Sequence, residues 1–550
     1  MPEPKPLLEV DRLSVDFPTA DGLFAAVRDV SFAIAPNESL AVIGESGSGK
    51  SVTASAIMGL LDSPPARVRG DIRFEGRSLF SMPGRQRRDL YGRRIAMVFQ
   101  DPLTHLNPVY PVGWQVAEVG RIHGMARAEA WARARELLDR VGIPDVERRM
   151  HDYPHEFSGG QRQRVMIAMA MALSPDLLIA DEPTTALDVT VQAQILDLLR
   201  DLRTESGMAL MMITHDLGVA ADIAENVVVM QHGEIVEAGP LDRVFARPQH
   251  AYTRQLLTDR SEEYRSLRPT EPPAILELDR VCVRYGSFEA VRNVSVTLRK
   301  GEILGIVGES GSGKSSLASA ILRLREPSSG SIRYHGRDVF ALARAEETAF
   351  HRGVQAIFQD PFSSLNPRMT VLKVISEPWL LHPDVLPRDR WRARAAELLG
   401  MVGLAASDLD KYPGEFSGGQ RQRIAIARAL ALEPEIIVCD EAVSALDMTV
   451  QAQVITLLAD LRTRLGLSYV FIAHDLTLVR KFADHVLVMK SGEVIEQGVA
   501  EEVFAHPAAL YTRQLIASSP VPDPMRQAER RRARRLNLVR DSDRANGMPA

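Results

Sequence analysis

Hydrophobic positions along this chain fall into two rhythms, and both recur. Short runs that are apolar at nearly every position end abruptly in polar residues: Ser39–Ile43, IAMVF before Gln100, LLIADE at Leu177–Glu182 and MALMMIT before His215. That length and two-sided hydrophobicity predict strands buried in a parallel sheet. Other stretches place apolar residues at i, i+3, i+4 spacing, as in EAWARARELLDRVGI and QRQRVMIAMAMAL, and predict helices between those strands. Strands alternating with helices predict an α/β fold. The same series returns later at Ile303–Val307, VQAIF before Gln359, Ile436–Glu441, LSYVFIA before His474, and RWRARAAELLGMVGL.

The spacing of the two series is a ruler. Gly44 and Gly308 are 264 residues apart (308 − 44), whereas Gln100/Gln359, Ser158/Ser417, Asp181/Asp440 and His215/His474 are each 259 apart. One extra length of five residues in the first copy, near Asp62–Arg88, accounts for the change. A period near 260 means duplicated domains, because solenoid repeats are roughly 20–50 residues long. The domains are therefore 1–257 and 275–516. Between them lies a polar, proline-ended linker at 258–274, and a basic tail follows at 517–550. The tail reads as partly helical or disordered, and its arginine run Arg526–Arg544 as a solvated charge run, with contact to anionic lipid headgroups or a partner as the minority reading.

Composition narrows the class. The 550 residues are 45% hydrophobic and 25% charged with net charge −5, which suits a globular protein and gives no reason to expect bulk nucleic-acid binding. Two cysteines, Cys282 and Cys439, form no CxxC pair, so a disulfide framework or zinc site is not expected and a reducing cytoplasm fits. No run approaches ~18 apolar residues, and MPEPKPLLEVDR has no apolar core of a signal peptide. Membrane work would depend on partners.

The chemistry sits at the ends of the predicted strands. GESGSGKS occupies Gly44, Glu45, Ser46, Gly47, Ser48, Gly49, Lys50 and Ser51, and again Gly308, Glu309, Ser310, Gly311, Ser312, Gly313, Lys314 and Ser315. Glycines let the backbone fold into a nest of N–H donors at a helix N-terminus, a cradle for phosphates. Lys50 and Lys314 would reach the terminal phosphates of ATP, and Ser51 and Ser315 would ligate Mg²⁺. Asp181 and Asp440, at strand ends beside the cradle, would also hold Mg²⁺. Glu182 and Glu441 follow them, placed to polarise an attacking water. Gln100 and Gln359 offer amides to metal and water, and His215 and His474 to the γ-phosphate. Ser158, Gly159, Gly160 and Gln161, with Ser417, Gly418, Gly419 and Gln420, open a second anion-binding helix in each copy.

This set resembles the ATP-binding cassette (ABC) ATPases: Walker A, Q-loop, SGGQ signature, Walker B, D-loops at Ala186–Asp188 and Ala445–Asp447, and switch histidines, covering Leu7–Ile516. The resemblance implies tandem P-loop domains, each with a RecA-like core, an antiparallel β subdomain and a helical subdomain (101–157 and 360–416). It implies a head-to-tail pairing in which each cradle faces the other copy's signature. It also implies aromatic residues on adenine, near Phe17 and Tyr285. QDPLTHLNP and QDPFSSLNP, and the closing segments FARPQHAYTRQLL and FAHPAALYTRQLI, resemble the oligopeptide/dipeptide/nickel importer ATPases with both ATPases fused. Such importers use two membrane permeases and an external substrate-binding protein, and place the ATPases on the cytoplasmic face of the bacterial inner membrane. The LNP stretches at Asn107 and Asn366 are then candidates for gripping the permeases. Some members hold an iron–sulfur cluster near the closing segment; with no cysteine after Cys439, none is expected here. Peptide import is the implied function, with glutathione, peptide antibiotics and nickel open as cargo. A ribosome-associated twin cassette is the remote alternative, disfavoured by the short, slightly acidic linker. Ala442–Val443 replace Pro183–Thr184 beside the second glutamate, but Glu441 is intact, so two competent sites are expected, with their relative rates left open.

Overall fold

The computed structural model describes residues 5–19, 22–61, 65–185, 187–258, 272–358, 364–444 and 446–545, the last eleven of these for the backbone alone. The chain divides into two compact units, Met1–Asp259 with Pro520–Ala550, and Arg260–Ser519. Gln359, Ala186, Ala445 and most of the linker lie outside the described residues.

In the first unit, β1 (Leu8–Thr19), β2 (Gly22–Ile34), β4 (Arg67–Phe74) and β5 (Arg77–Ser78) form a four-stranded antiparallel sheet in the order β2-β1-β4-β5. A six-stranded sheet contains β3 (Ser39–Ile43), β6 (Ile95–Val98), β7 (Leu177–Asp181), β8 (Ala209–Thr214), β9 (Asn226–Gln231) and β10 (Glu234–Pro240), in the order β10-β9-β3-β8-β7-β6. Its β3, β6, β7, β8 and β9 run parallel, and β10 closes one edge antiparallel. The predicted all-apolar runs are these central strands; every residue of β3, β7 and β8 is buried. Backbone polarity is satisfied by the ladders, so apolar side chains on both faces can pack without cost.

Two layers cover the parallel sheet. Leu8, Val15, Ile34 and Phe74 of the antiparallel sheet meet Val42, Ile179 and Ile213, with Ile57 of the helix Lys50–Ile57 between them. Elsewhere Leu178, Ala180 and Met212 join Ile167, Leu199 and the helical segment of residues 102–156. Met166, Met171, Met211 and Met212 are all buried in these cores, as core filling requires.

The second unit repeats both sheets with β11 (Ala274–Tyr285), β12 (Phe288–Arg299), β13 (Ile303–Val307), β14 (Ser329–Tyr334), β15 (Arg337–Asp338), β16 (Val354–Ile357), β17 (Ile436–Asp440), β18 (Ser468–Ile472), β19 (His485–Lys490) and β20 (Glu493–Val499). The orders are β12-β11-β14-β15 and β16-β17-β18-β13-β19-β20. The extra length of the first copy is split rather than single. Left-handed residues Gly59 and Arg323 keep the 264 offset (323 − 59), Gly70 and Gly330 stand 260 apart (330 − 70), and β6 and β16 begin 259 apart (354 − 95). Four extra residues thus lie between Gly59 and Gly70 and one between Gly76 and Ile95. Both lie outside the parallel core strands, where added length is tolerated.

The tail is helical in part, as one reading allowed, but its arginines are not simply solvated. Leu510–Ser518 is still a helix of the second unit, and Pro524–Ala545 is a long helix. Its Arg534 is buried, and Arg531 and Arg534 pair with aspartates of the first unit. Each of these arginines has a carboxylate partner in place of the water it gives up.

Candidate functional site: two phosphate cradles with acidic strand ends

Each cradle is built by backbone constraint. Between β3 and the helix Lys50–Ile57, Gly44 and Gly49 have φ of 155° and 97°. A Cβ at Gly44 would stand 2.2 Å from the Met230 carbonyl oxygen, and one at Gly49 2.6 Å from that of Ala26. Gly308 and Gly313 meet the same limits, at 2.2 Å from Met489 O and 2.3 Å from Ala290 O. No other residue fits this close backbone approach. Lys50 Nζ donates to the carbonyls of Gly44 and Glu45, each at 2.8 Å, and Lys314 Nζ to those of Gly308 and Glu309 at the same distances. Both lysines are buried along the loops they would serve.

The acids arrive at the carboxyl ends of the parallel strands, where α/β sheets bind ligands. Ser51 Oγ donates to Asp181 Oδ1 at 3.0 Å, and Ser315 Oγ to Asp440 Oδ1 at 3.3 Å. Burial, reinforced by the charge of Glu182, pushes Asp181 up to about 6 against the pull of Ser51 and Lys50. Burial and Glu441 raise Asp440 likewise. Glu182 and Glu441 both adopt left-handed backbone, φ 46° and 48°. A glutamate is uncommon there, and the conformation turns each side chain off the strand end. Their amides are held by the Ile213 and Ile472 carbonyls, at 2.9 and 3.0 Å.

Here the copies part. Glu182 Oε2 accepts from Gln100 Nε2 at 2.9 Å and from Thr185 Oγ1 at 3.0 Å, while Oε1 stands 3.1 Å from His215 Nδ1. Burial opposes ionisation of Glu182, but the His215 contact and the Thr185 hydroxyl outweigh it and hold the carboxyl below its ordinary range. Burial likewise opposes charge on His215, and Glu182 outweighs it, raising the imidazole. In the second copy Ser444 stands at the threonine position, and its hydroxyl donates to the main-chain oxygen of Glu441 at 2.9 Å.

The SGGQ segments start helices Gly159–Ala170 and Gly418–Leu430 with reciprocal caps. Ser158 Oγ accepts from Gln161 N at 3.3 Å while Ser158 N donates to Gln161 Oε1 at 3.1 Å, and Ser417 and Gln420 do the same. A Cβ at Gly160 would lie 2.4 Å from Val191 Cγ1, and at Gly419 2.2 Å from Val450 Cγ1. The second glycine therefore serves close packing against the helices Val189–Ser206 and Met448–Leu465. The arginines that follow are structural: Arg162 and Arg421 bind the carbonyls of Pro154 and Pro413, both at 2.7 Å.

Sequence reasoning missed one pair. Tyr252, in the closing helix Ala251–Leu257, accepts the Glu45 amide at 3.0 Å through its hydroxyl, and Tyr511 accepts that of Glu309 at 3.3 Å. The available signal was the recurrence of YTRQL in both closing segments. Of the adenine candidates, Phe17 is half-buried against the first core, and Phe24, its β2 partner in register, is exposed. Tyr285 is exposed, with the Arg325 guanidinium 3.8 Å from its ring centroid.

The donors around the cradles, Ser51 and Asp181 with Gln100 in the first copy and Ser315 and Asp440 in the second, are oxygen donors, a hard set of the kind Mg²⁺ takes. Among the described residues no three His, Cys, Asp or Glu side chains cluster as a metal site, and both cysteines are free. No helix among them is long and apolar enough to cross a membrane.

Two α/β cassettes, each with a phosphate cradle, acidic strand end and capped signature helix, define a twin-cassette ATPase. The chain belongs to the ABC transporter family, whose model matches residues 27–185 and 291–444. The family model for the oligopeptide/dipeptide transporter C-terminal region matches 236–283 and 495–544. Relatives align along almost the full length. The peptidoglycan transport ATP-binding protein YejF of Agrobacterium fabrum (strain C58) is 46% identical over 528 residues, covering 94% of this chain and 96% of its own. The YejF ABC transporter ATP-binding protein of Escherichia coli (strain K12) is 47% identical, covering 93% and 99%. The glutathione import ATP-binding protein GsiA of Escherichia coli O6:H1 is 44% identical over 569 residues, covering 96% and 91%. The chain is thus an ATP-binding, ATP-hydrolysing transporter subunit whose family works with transmembrane permeases.

Proposed function

We propose that this chain powers the import of short peptides, hydrolysing ATP in two sites to drive two permeases fed by an external substrate-binding protein, from the cytoplasmic face of the bacterial inner membrane. The observation that carries the hydrolytic assignment is the Glu182 carboxylate, fixed by Gln100, Thr185 and His215 beside the Ser51–Asp181 pair. The peptide class rests on the oligopeptide/dipeptide C-terminal-region match and on relatives named for peptidoglycan transport and glutathione import. Glutathione, itself a short peptide, is the alternative cargo.

In this reading the cradle amides and Lys50 bind the β- and γ-phosphates, and Ser51, Asp181 and Gln100 hold Mg²⁺, as Ser315, Asp440 and Gln359 do in the second copy. Bound there, the metal ion supplies charge neutralisation to the phosphates. Glu182 and Glu441 orient the attacking water, and His215 and His474 contact the γ-phosphate. Ser158–Gln161 and Ser417–Gln420 complete the sites from the opposite cassette. Tyr285 stacks on adenine in the second cassette; Phe17 or its exposed neighbour Phe24 does so in the first. The exposed Leu103, Val109 and Tyr110 around the LNP loop offer an apolar surface to a permease. That loop is pinned by buried Gln115, which bonds Asn107 N, Asn107 O and Tyr110 O at 2.8–3.0 Å.

The test is the pair Glu182→Gln with Glu441→Gln in the chain purified with its permeases. ATP binding is expected to persist while steady-state hydrolysis falls by at least about 10²-fold. Retained turnover removes the assignment of the glutamates; absence of co-purifying permeases removes the importer.

A further inference from the structure

The chain's last segment is specific for one cassette. Ser519 ends the second unit, and from Pro520 the chain belongs to the first. Asp523 and Gln527 shape the entry: Gln527 Oε1 accepts the Val521 amide at 3.0 Å, and Asp523 Oδ1 that of Arg526 at 3.1 Å. The helix Pro524–Ala545 then packs on the helix Leu217–Ile223. Arg531 Nη1 donates to Asp222 O at 2.8 Å and stands 3.3 Å from Asp222 Oδ1. Arg534 grips Asp197 with two bonds of 3.0 Å and lies 3.5 Å from Asp222 Oδ2. Arg200 joins the same two aspartates at 2.8 and 2.9 Å. The Asp222 side chain is 1% exposed. Bidentate, desolvated arginine pairs of this kind fix geometry as well as contribute energy.

The equivalent surface of the second cassette cannot take this helix. At the 259 offset Gly218, Asp222, Asp197 and Arg200 correspond to Thr477, Lys481, Thr456 and Ala459. A Cβ at Gly218 would already stand 2.7 Å from Pro520 Cβ and 2.8 Å from its carbonyl carbon. Lysine in place of Asp222 would repel the arginines.

What the helix grips connects to the hydrolytic site. Asp222 lies near the end of the helix Leu217–Ile223, whose N-cap is Asp216, directly after His215. Asp197 lies in Val189–Ser206, and Gln192 of that helix donates to Asp216 Oδ2 at 3.3 Å. We infer that Pro520–Arg534 is a strap, and that Arg531 and Arg534 are positioning residues for the first cassette's site, holding through Asp222 and Asp197 the helix that follows His215 and so the histidine's place against Glu182. By chain continuity the strap ties the end of the second cassette to that helix. The inference rests on the hydrolytic reading of Glu182 and His215.

The experiment uses the full-length chain with Arg531→Ala and Arg534→Ala together, compared with Arg531→Lys and Arg534→Lys. Single-turnover hydrolysis is followed with only Glu182 intact (Glu441→Gln) and with only Glu441 intact (Glu182→Gln). The alanine pair is expected to lower the rate roughly threefold to tenfold where Glu182 acts, with ATP affinity within about twofold, and to leave the Glu441-only rate unchanged. The lysine pair is expected to recover part of the loss, since charge remains without the bidentate fork. Equal losses in both backgrounds, or a lowered melting temperature with no change in rate, overturn the inference. Hydrogen exchange of the 217–223 amides separates it from the hydrolytic reading. Faster exchange in the alanine pair is expected even if Glu182 proves not to be the hydrolytic group; unchanged exchange overturns the strap alone.

Discussion

Glu182 and Glu441 occupy equivalent strand ends with the same left-handed backbone, yet they are held differently. Glu182 has a threonine hydroxyl and a histidine on its carboxylate, whereas the serine beside Glu441 spends its hydroxyl on main chain. The first cassette also carries the aspartates that receive the C-terminal helix, which the second lacks. Duplication has kept the backbone geometry that binds phosphate and let the side-chain scaffolding around the hydrolytic group diverge. If that division matters in turnover, the two sites are expected to differ in hydrolysis more than in nucleotide binding.

The sharpest way to break the comparison is to remove one glutamate at a time. Glu182→Gln is expected to cost more of the single-turnover rate than Glu441→Gln, each site losing on the order of 10²–10⁴-fold of its own activity. Rapid-quench kinetics with radiolabelled ATP reads both. Equal residual rates would show that the different holding of the two carboxylates is without consequence.

Next in size is the hydroxyl itself. Thr185→Val leaves shape and volume but removes a charge-assisted hydrogen bond, typically about 1.5–3 kcal/mol. A drop of roughly tenfold in the first site's rate is expected, with unchanged nucleotide affinity, while Ser444→Ala in the second changes its rate less than about twofold. A tenfold effect at Ser444 would mean that its hydroxyl reaches the Glu441 carboxylate during turnover.

Why the asymmetry was only partly legible follows from the distances involved. The cradle, acidic strand ends and signature could be read because each rests on a local demand: left-handed glycines, a run buried on both faces, a capping Ser–Gln pair. Those demands fix residue types within a few positions. The contact of Tyr252 with Glu45 spans 207 residues, and those of Arg531 and Arg534 with their aspartates span 309 and 337. No local pattern encodes such a pairing, so an arginine-rich tail reads as solvated until the acidic surface beneath it is seen. The sequence difference noted between the copies was Ala442–Val443; both are buried, and the difference next to the carboxylate lies one position later, in Ser444. The split insertion was hidden because aligned motifs measure only the total offset.

A third prediction addresses what the copies share. Tyr252→Phe and Tyr511→Phe each strip the acceptor from a cradle amide while keeping the ring. A net hydrogen bond is worth about 0.5–1.5 kcal/mol, so nucleotide affinity of the altered cassette is expected to weaken roughly two- to tenfold, by similar factors in both. Fluorescent-nucleotide titration checks it. A large difference between the two tyrosines would extend the asymmetry from hydrolysis to binding.

The smallest expected effect separates the cassettes by pH. Where the first has Asn226 Nδ2 donating to Glu38 Oε1 at 2.6 Å, the second has His485 Nδ1 against Glu302 Oε1. Glu302 raises His485 above its ordinary value, helped by Asp484 and opposed by burial and by Arg299. A histidine raised on folding adds stability that is fully present below its unfolded value near 6.5 and is lost as pH climbs through the folded one. The first cassette has an amide, not an imidazole, at this place. Because the His485 side chain is 45% exposed, solvent screens the pair, and the loss between about pH 6.5 and 8.5 is expected to be no more than roughly twofold in hydrogen-exchange protection of β19. Protection of β9, its counterpart in the first cassette, is expected to stay level over the same range once intrinsic exchange is corrected. His485→Asn is expected to flatten the β19 response and make the two strands behave alike. A β19 profile that keeps its slope in that variant would place the titrating group elsewhere, with Asp484 and its buried partner Arg462 the neighbours next to be changed.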